Sequence, residues 1–99
     1  MFERRLKMET RVAILAILVQ EGGNAAQVNE LLHQYSSYII GRMGIPYRER
    51  GLNIISNAMD APGDVISSLS GKIGRLPRIT AKTVYAPESV LSKETERNG

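Results

Sequence analysis

Residues 11–35 read RVAILAILVQEGGNAAQVNELLHQY, and this stretch decides the fold because its hydrophobic period changes in the middle. From Val12 to Val19 every residue is apolar, with Val12, Ile14, Ala16 and Leu18 facing one way in an extended chain and Ala13, Leu15, Ile17 and Val19 the other. A strand apolar on both sides is expected to be buried on both sides. Glu21, Gly22 and Gly23 then break the chain. Asn24, with Gln27 three residues on, has the form of a capping box that opens a helix. Ala25, Val28, Leu31, Leu32 and Tyr35 follow at the 3.6-residue spacing of a buried helical stripe, which predicts a helix to about Tyr35.

The same strand, turn, helix and strand order is written a second time. Strand two is expected over residues 38–47, with Pro46, which has no amide proton to donate, suited to an edge strand or a strand end. Arg48, Glu49, Arg50 and Gly51 form a polar turn before strand three at residues 52–59. Asp60, Ala61, Pro62, Gly63 and Asp64 have the makings of a helix start, with Asp60 as the capping carboxylate. Val65, Ile66, Leu69, Ile73 and Leu76 mark the stripe of helix two, Pro77 closes it, and residues 79–86 supply strand four. Two such units make an α+β, ferredoxin-like βαββαβ sandwich: a four-stranded antiparallel sheet with two helices on one face. That architecture hosts many functions and fixes none.

Length allows one core. A chain of 99 residues buries roughly 60 to 70% of its unfolded surface, enough for one domain and not for two. The domain is expected at residues 9–86, between an N-terminal extension at 1–8 and a polar tail at 87–99. Zero cysteines exclude a disulfide scaffold, thiolate metal ligands and a cysteine nucleophile. The longest apolar run, eight residues, is far short of the ~20 that a membrane helix needs. With no signal-peptide pattern either, a cytoplasmic protein away from membranes is expected. The net charge of +3 owes much to Arg4, Arg5, Lys7 and Arg11 ahead of strand one, so it argues only weakly for nucleic acid.

Topology makes a prediction about assembly. Strands one and three of this fold are central, and the helices cover one face only. The other face receives half of the apolar strand one, in whichever register holds, and an apolar sheet face of several hundred Å² marks an interface. A homodimer or homotetramer closed by symmetry is expected.

Motifs that carry chemistry are mostly missing. Gly71, Lys72 and Ile73 lack the upstream glycine and the Ser or Thr of a phosphate-binding loop. Ser70, Gly71 and Gly74 read instead as small residues that let helix two approach a neighbour closely. His33, the one histidine, cannot anchor a nitrogen and sulfur metal site by itself and reads as a half-exposed helix residue. No spacing argues for a triad or paired carboxylates, so no catalytic residue, metal or cofactor is assigned and an enzyme is not expected.

Two positive features remain. The turn at Gly22, Gly23 and Asn24 ends strand one and opens helix one, so it is either a simple tight connection or a place where amides meet a small anionic ligand. Arg42 and Arg48, with Arg50, straddle an edge strand and its hairpin; they either grip a carboxylate or phosphate or solvate the edge.

The strings LLHQYSSYIIGRMGIPYRER at residues 31–50 and ISSLSGKIGRLPRITAKTVYA at residues 66–86 closely resemble the small proteins proposed as iron-only hydrogenase system regulators. The resemblance covers roughly residues 8–86, and Met8-Glu9-Thr10-Arg11-Val12 is similar to where such proteins begin. It implies an ACT-like domain, similar to the C-terminal effector domain of nickel-responsive repressors. It also implies a homo-oligomeric regulatory module that senses a small ligand or binds a protein partner. Those repressors hold nickel through histidines and a cysteine, so nickel sensing does not carry over to a chain with one histidine and no cysteine. They also bind DNA through an N-terminal ribbon-helix-helix, and the eight or so residues before strand one are too few for it. Where relatives have a glycine after Leu76-Pro77, this chain has Arg78, which puts the turn before strand four in question.

The alternatives are an RNA- or DNA-binding domain and a structural assembly partner without a ligand. RNA recognition motifs share the element order but stack bases on aromatic residues of the two central strands, and strands one and three here carry no Phe, Tyr or Trp. Direct nucleic-acid binding is therefore not expected.

Overall fold

A computed structural model describes residues 9–87 of the chain; the expected extension at 1–8 and nearly all of the expected tail lie outside the described residues. The strands are β1 (Arg11–Gln20), β2 (Ile39–Tyr47), β3 (Leu52–Ala61) and β4 (Ile79–Tyr85), and the helices are α1 (Ala25–Gln34) and α2 (Gly63–Gly74). The sheet order is β2-β3-β1-β4 with every neighbouring pair antiparallel, the ferredoxin-like arrangement read from the sequence. Pro46 lies in edge strand β2.

Alternation along β1 settles its register. Ala13, Leu15, Ile17 and Val19 are buried against the helices, while Ile14 and Leu18 on the opposite side remain 47% and 39% exposed. A single chain therefore covers only half of the strand that the sequence marks as apolar on both sides. Leu15 and Ile17 meet Val28 and Leu32 of α1 and Ile66, Leu69 and Ile73 of α2 in one core with Ile55 and Met59 of β3. Deleting most of one such buried aliphatic side chain costs about 2–5 kcal/mol.

Helix α1 starts with the Asn24 half of the expected capping box, while Gln27 meets the Asn24 side chain and not its backbone amide. The Gln27 amide donates to the Asn24 side-chain oxygen at 3.0 Å, and the Asn24 side-chain amide faces Gln27 Oε1 at 3.4 Å. Tyr35 is its C-cap, and a short 3-10 turn at Ser36–Tyr38 leads into β2. Helix α2 begins differently from expectation. Asp60 does not cap it; β3 runs on to Ala61, Asp60 pairs with Val12 of β1, and Pro62 occupies the N-cap without a side-chain hydrogen bond. The antiparallel ladder holds Asp60 extended where the Pro and Gly that follow had marked an earlier break. Of the small residues late in α2, Gly74 has a packing partner, with the position of a Cβ 4.0 Å from Ala81 Cβ, whereas Gly71 faces open space.

Candidate functional site

Three turns meet at one end of the sheet, and the first candidate pocket lies among them. The Gln20 amide donates to the Arg78 carbonyl at 2.9 Å, the Glu21 amide to the Gly51 carbonyl at 2.9 Å, and the Gly23 amide back to the Gln20 carbonyl at 2.8 Å. These bonds tie the β1–α1 turn to the β2–β3 hairpin and to the approach of β4. Gly22 sits at φ 92, a conformation that side chains disfavour. Gly23 is locked by proximity: a Cβ there would lie 3.0 Å from Val19 Cγ1 and from the Gln20 carbonyl.

Gly22, Gly23 and Arg48 line this shallow pocket of about 380 Å³ together with Gln20, Pro46 and Asn53. Beside it, Arg50 and Arg78 flank Glu21 in a second depression of about 330 Å³. The structure thus brings together three of the five residues singled out from sequence. Asn24 stands next to them with its side chain committed to the helix cap. Arg42 is elsewhere. Arg78 was not singled out as a site residue, and the one sequence signal for it is its place directly after Leu76-Pro77.

Arg42 projects from the helix-facing side of β2, opposite Asn57 of β3, and its guanidinium donates to the side-chain oxygen of Asn29 on α1. Asn29, His33 and Ser36 form one wall of a groove of about 450 Å³, with Gly41 and Arg42 as the other wall and Leu32 at its base. The sequence read His33 as a half-exposed helix residue without linking it to Arg42, and the structure leaves it exposed; nothing in the local spacing pairs α1 with β2.

On the outer side of the helices, Lys72 Nζ donates to the Tyr35 hydroxyl at 2.9 Å, and Ser68 Oγ lies 3.5 Å from the same oxygen. The hydrogen bond from Lys72 holds the Tyr35 phenol below its ordinary pKa, with the Ser68 contact acting in the same direction. No group of three or more His, Cys, Asp or Glu side chains among the described residues is placed to hold a metal ion. No helix among them is long and apolar enough to cross a membrane.

The sheet face away from the helices is uncovered and carries exposed apolar side chains. Strand registers place Ile14, Ala16 and Leu18 beside Ala58, Ser56 and Ile54, flanked by Met43 and Ile45 of β2 and by Thr80, Lys82 and Val84 of β4. Met43 is 58% and Val84 65% exposed, and one lysine interrupts the apolar field.

Comparison with known proteins gives two findings. The chain matches, over residues 11–83, the model of the TM1266-like family, whose description proposes an iron-only hydrogenase system regulator. The solved structure of the uncharacterized protein TM1266 from Thermotoga maritima superposes with a TM-score of 0.76 at 40% sequence identity, covering 80% of this chain and 100% of that one. No curated protein matches.

Proposed function

The chain belongs to the TM1266-like family, and on that premise we propose that it is a non-catalytic regulatory module of the iron-only hydrogenase system, ACT-like in working as a homo-oligomer. The observation that carries this reading is the uncovered sheet face. Ile14, Leu18, Met43, Ile45 and Val84 are all exposed large apolar residues of one surface, and apolar patches of this kind on small domains mark interfaces. A second copy stacked on that face completes the burial of β1 that its sequence calls for, as in aligned sheet-on-sheet packing.

Within the oligomer, the pocket at Gly22, Gly23 and Arg48 is the place for a small anionic ligand, because it joins the ends of β1 and β2 to the start of α1. A ligand there bears on both the core and the sheet. The RNA-binding alternative draws no support from the open face, where the central strands present Ile14, Ala16, Leu18, Ile54, Ser56 and Ala58 and no aromatic ring.

Native mass spectrometry of the freshly purified protein tests the proposal. A dimer or tetramer with retained mass supports a ligand-sensing module, and a bare oligomer moves the reading to a protein-binding one. A clean monomer overturns the assembly on which both rest.

A further inference from the structure

We infer that the groove between α1 and edge strand β2 is a binding site for a small oxyanion, a carboxylate or a phosphate, held by Arg42 and His33. This site is separate from the pocket at Gly22 and from the sheet face, and it does not require the oligomer.

The argument starts from Arg42. Its guanidinium is anchored by neutral Asn29, and the groove lining holds no carboxylate, so its charge is positioned there without being neutralised by the lining. One bond to Asn29 uses one of five N–H donors, and the planar fork leaves donors to meet two oxygens of an anion side by side. Asn29 and His33 are four residues apart on α1 and so lie on one helix face. His33 adds a ring N–H donor and Ser36 a hydroxyl across the groove from Arg42. The lining contains no acidic side chain, and buried Leu32 at its base suits a short apolar body on the anion. A cavity of about 450 Å³ falls in the size range of small-ligand sites. The α1 C-terminus also lies here, and its partial negative charge opposes an anion. Binding is accordingly expected to be modest, with Kd on the order of micromolar to millimolar.

The test is a two-dimensional amide NMR titration at constant ionic strength, with inorganic phosphate and with sodium butyrate as separate probes. Saturable shifts centred on His33, Ser36, Gly41 and Arg42 are expected with at least one probe, and the probe that saturates first identifies phosphate or carboxylate as the source. Arg42→Met should weaken binding about tenfold or more and His33→Ala less. Asn29→Ala, which frees the guanidinium without removing it, should fall between them. Because Arg42 and His33 are exposed, all three variants are expected to melt close to the wild type. Three results overturn the proposal: no saturable shift with either probe, unchanged affinity in Arg42→Met, or shifts centred on Gly22 and Arg48 instead.

Discussion

Arg78 lies across Gly22. A Cβ on Gly22 would sit 3.1 Å from Arg78 Cδ and 3.3 Å from its Nε, and Arg78 itself adopts φ 63. Arg78 thus occupies the backbone region that glycine favours. Its Nη1 reaches the Glu21 carbonyl at 3.4 Å, a long contact that offsets little of the backbone cost.

Two substitutions separate these effects. Arg78→Gly removes a left-handed side chain whose strain is about 1–2 kcal/mol, while glycine adds about 0.5–1 kcal/mol of unfolded-state entropy. A net gain of about 0.5 kcal/mol is expected in urea unfolding. Gly22→Ala meets both positive φ and the Arg78 stem, and should lose about 1–3 kcal/mol. If Arg78→Gly instead loses more than about 1 kcal/mol, the side chain and not the backbone governs this turn.

The sheet face gives a paired prediction on β1. Leu18→Asp changes a residue 39% exposed on the open side, whereas Ile17→Ala truncates one that is fully buried. Leu18→Asp is expected to stay folded by circular dichroism and to sediment as a smaller species than the wild type. Ile17→Ala should keep the assembly but lose about 2–5 kcal/mol of stability. A wild-type sedimentation profile for Leu18→Asp counts against the sheet face as the contact.

How much of this was legible in the sequence depended on period and distance. The helices and strand order followed from residues such as Val28, Leu32, Ile66 and Leu69, whose 3.6-residue spacing has one structural meaning. The register of β1 did not, because residues 12–19 are apolar on both sides and alternation alone cannot say which half meets the helices. Asp60 read as a cap because Pro62 and Gly63 follow it; only the pairing with Val12 keeps it in the strand. Arg42 and Arg48 looked like one basic group. Extended chain rises ~3.3 Å per residue, so the stretch of β2 from Arg42 to its end at Tyr47, just before Arg48, spans roughly 17 Å, which is why they serve different cavities. Arg78 reaches Gly22 across 56 positions of chain, numbers 22 to 78, and no local pattern reports such a contact.

Among the described residues, Asn57 is the buried polar residue of the core. It is 0% exposed; its Nδ2 donates to the Leu15 carbonyl at 3.3 Å, and its Oδ1 has no hydrogen-bond partner. An unpaired buried acceptor costs about 1–3 kcal/mol. Asn57→Val removes it, fills similar volume and suits a central strand. The variant is expected to melt at or above the wild-type temperature. A loss greater than about 2 kcal/mol would mean that Oδ1 is satisfied in solution, as by a buried water.

Tyr35 links the C-cap of α1 to α2 through Lys72 and Ser68, and its phenol is held below the ordinary value of 10.0 first by the Lys72 hydrogen bond and then by that from Ser68. The lowered value belongs to the folded state, so the favourable term is complete only above the unfolded pKa. It fades as pH falls through the folded one. At neutral pH the phenol is protonated in both states and the term vanishes. Melts of wild type and Lys72→Met near pH 7 should therefore be close, since an exposed contact of this kind contributes little. The difference belongs in the alkaline range. Subtracting the tyrosinate absorbance titration of Tyr35→Phe from that of the wild type should reveal one phenol ionising early, and Lys72→Met should move it upward. An unmoved titration in Lys72→Met would show that the ammonium does not face Tyr35 in solution.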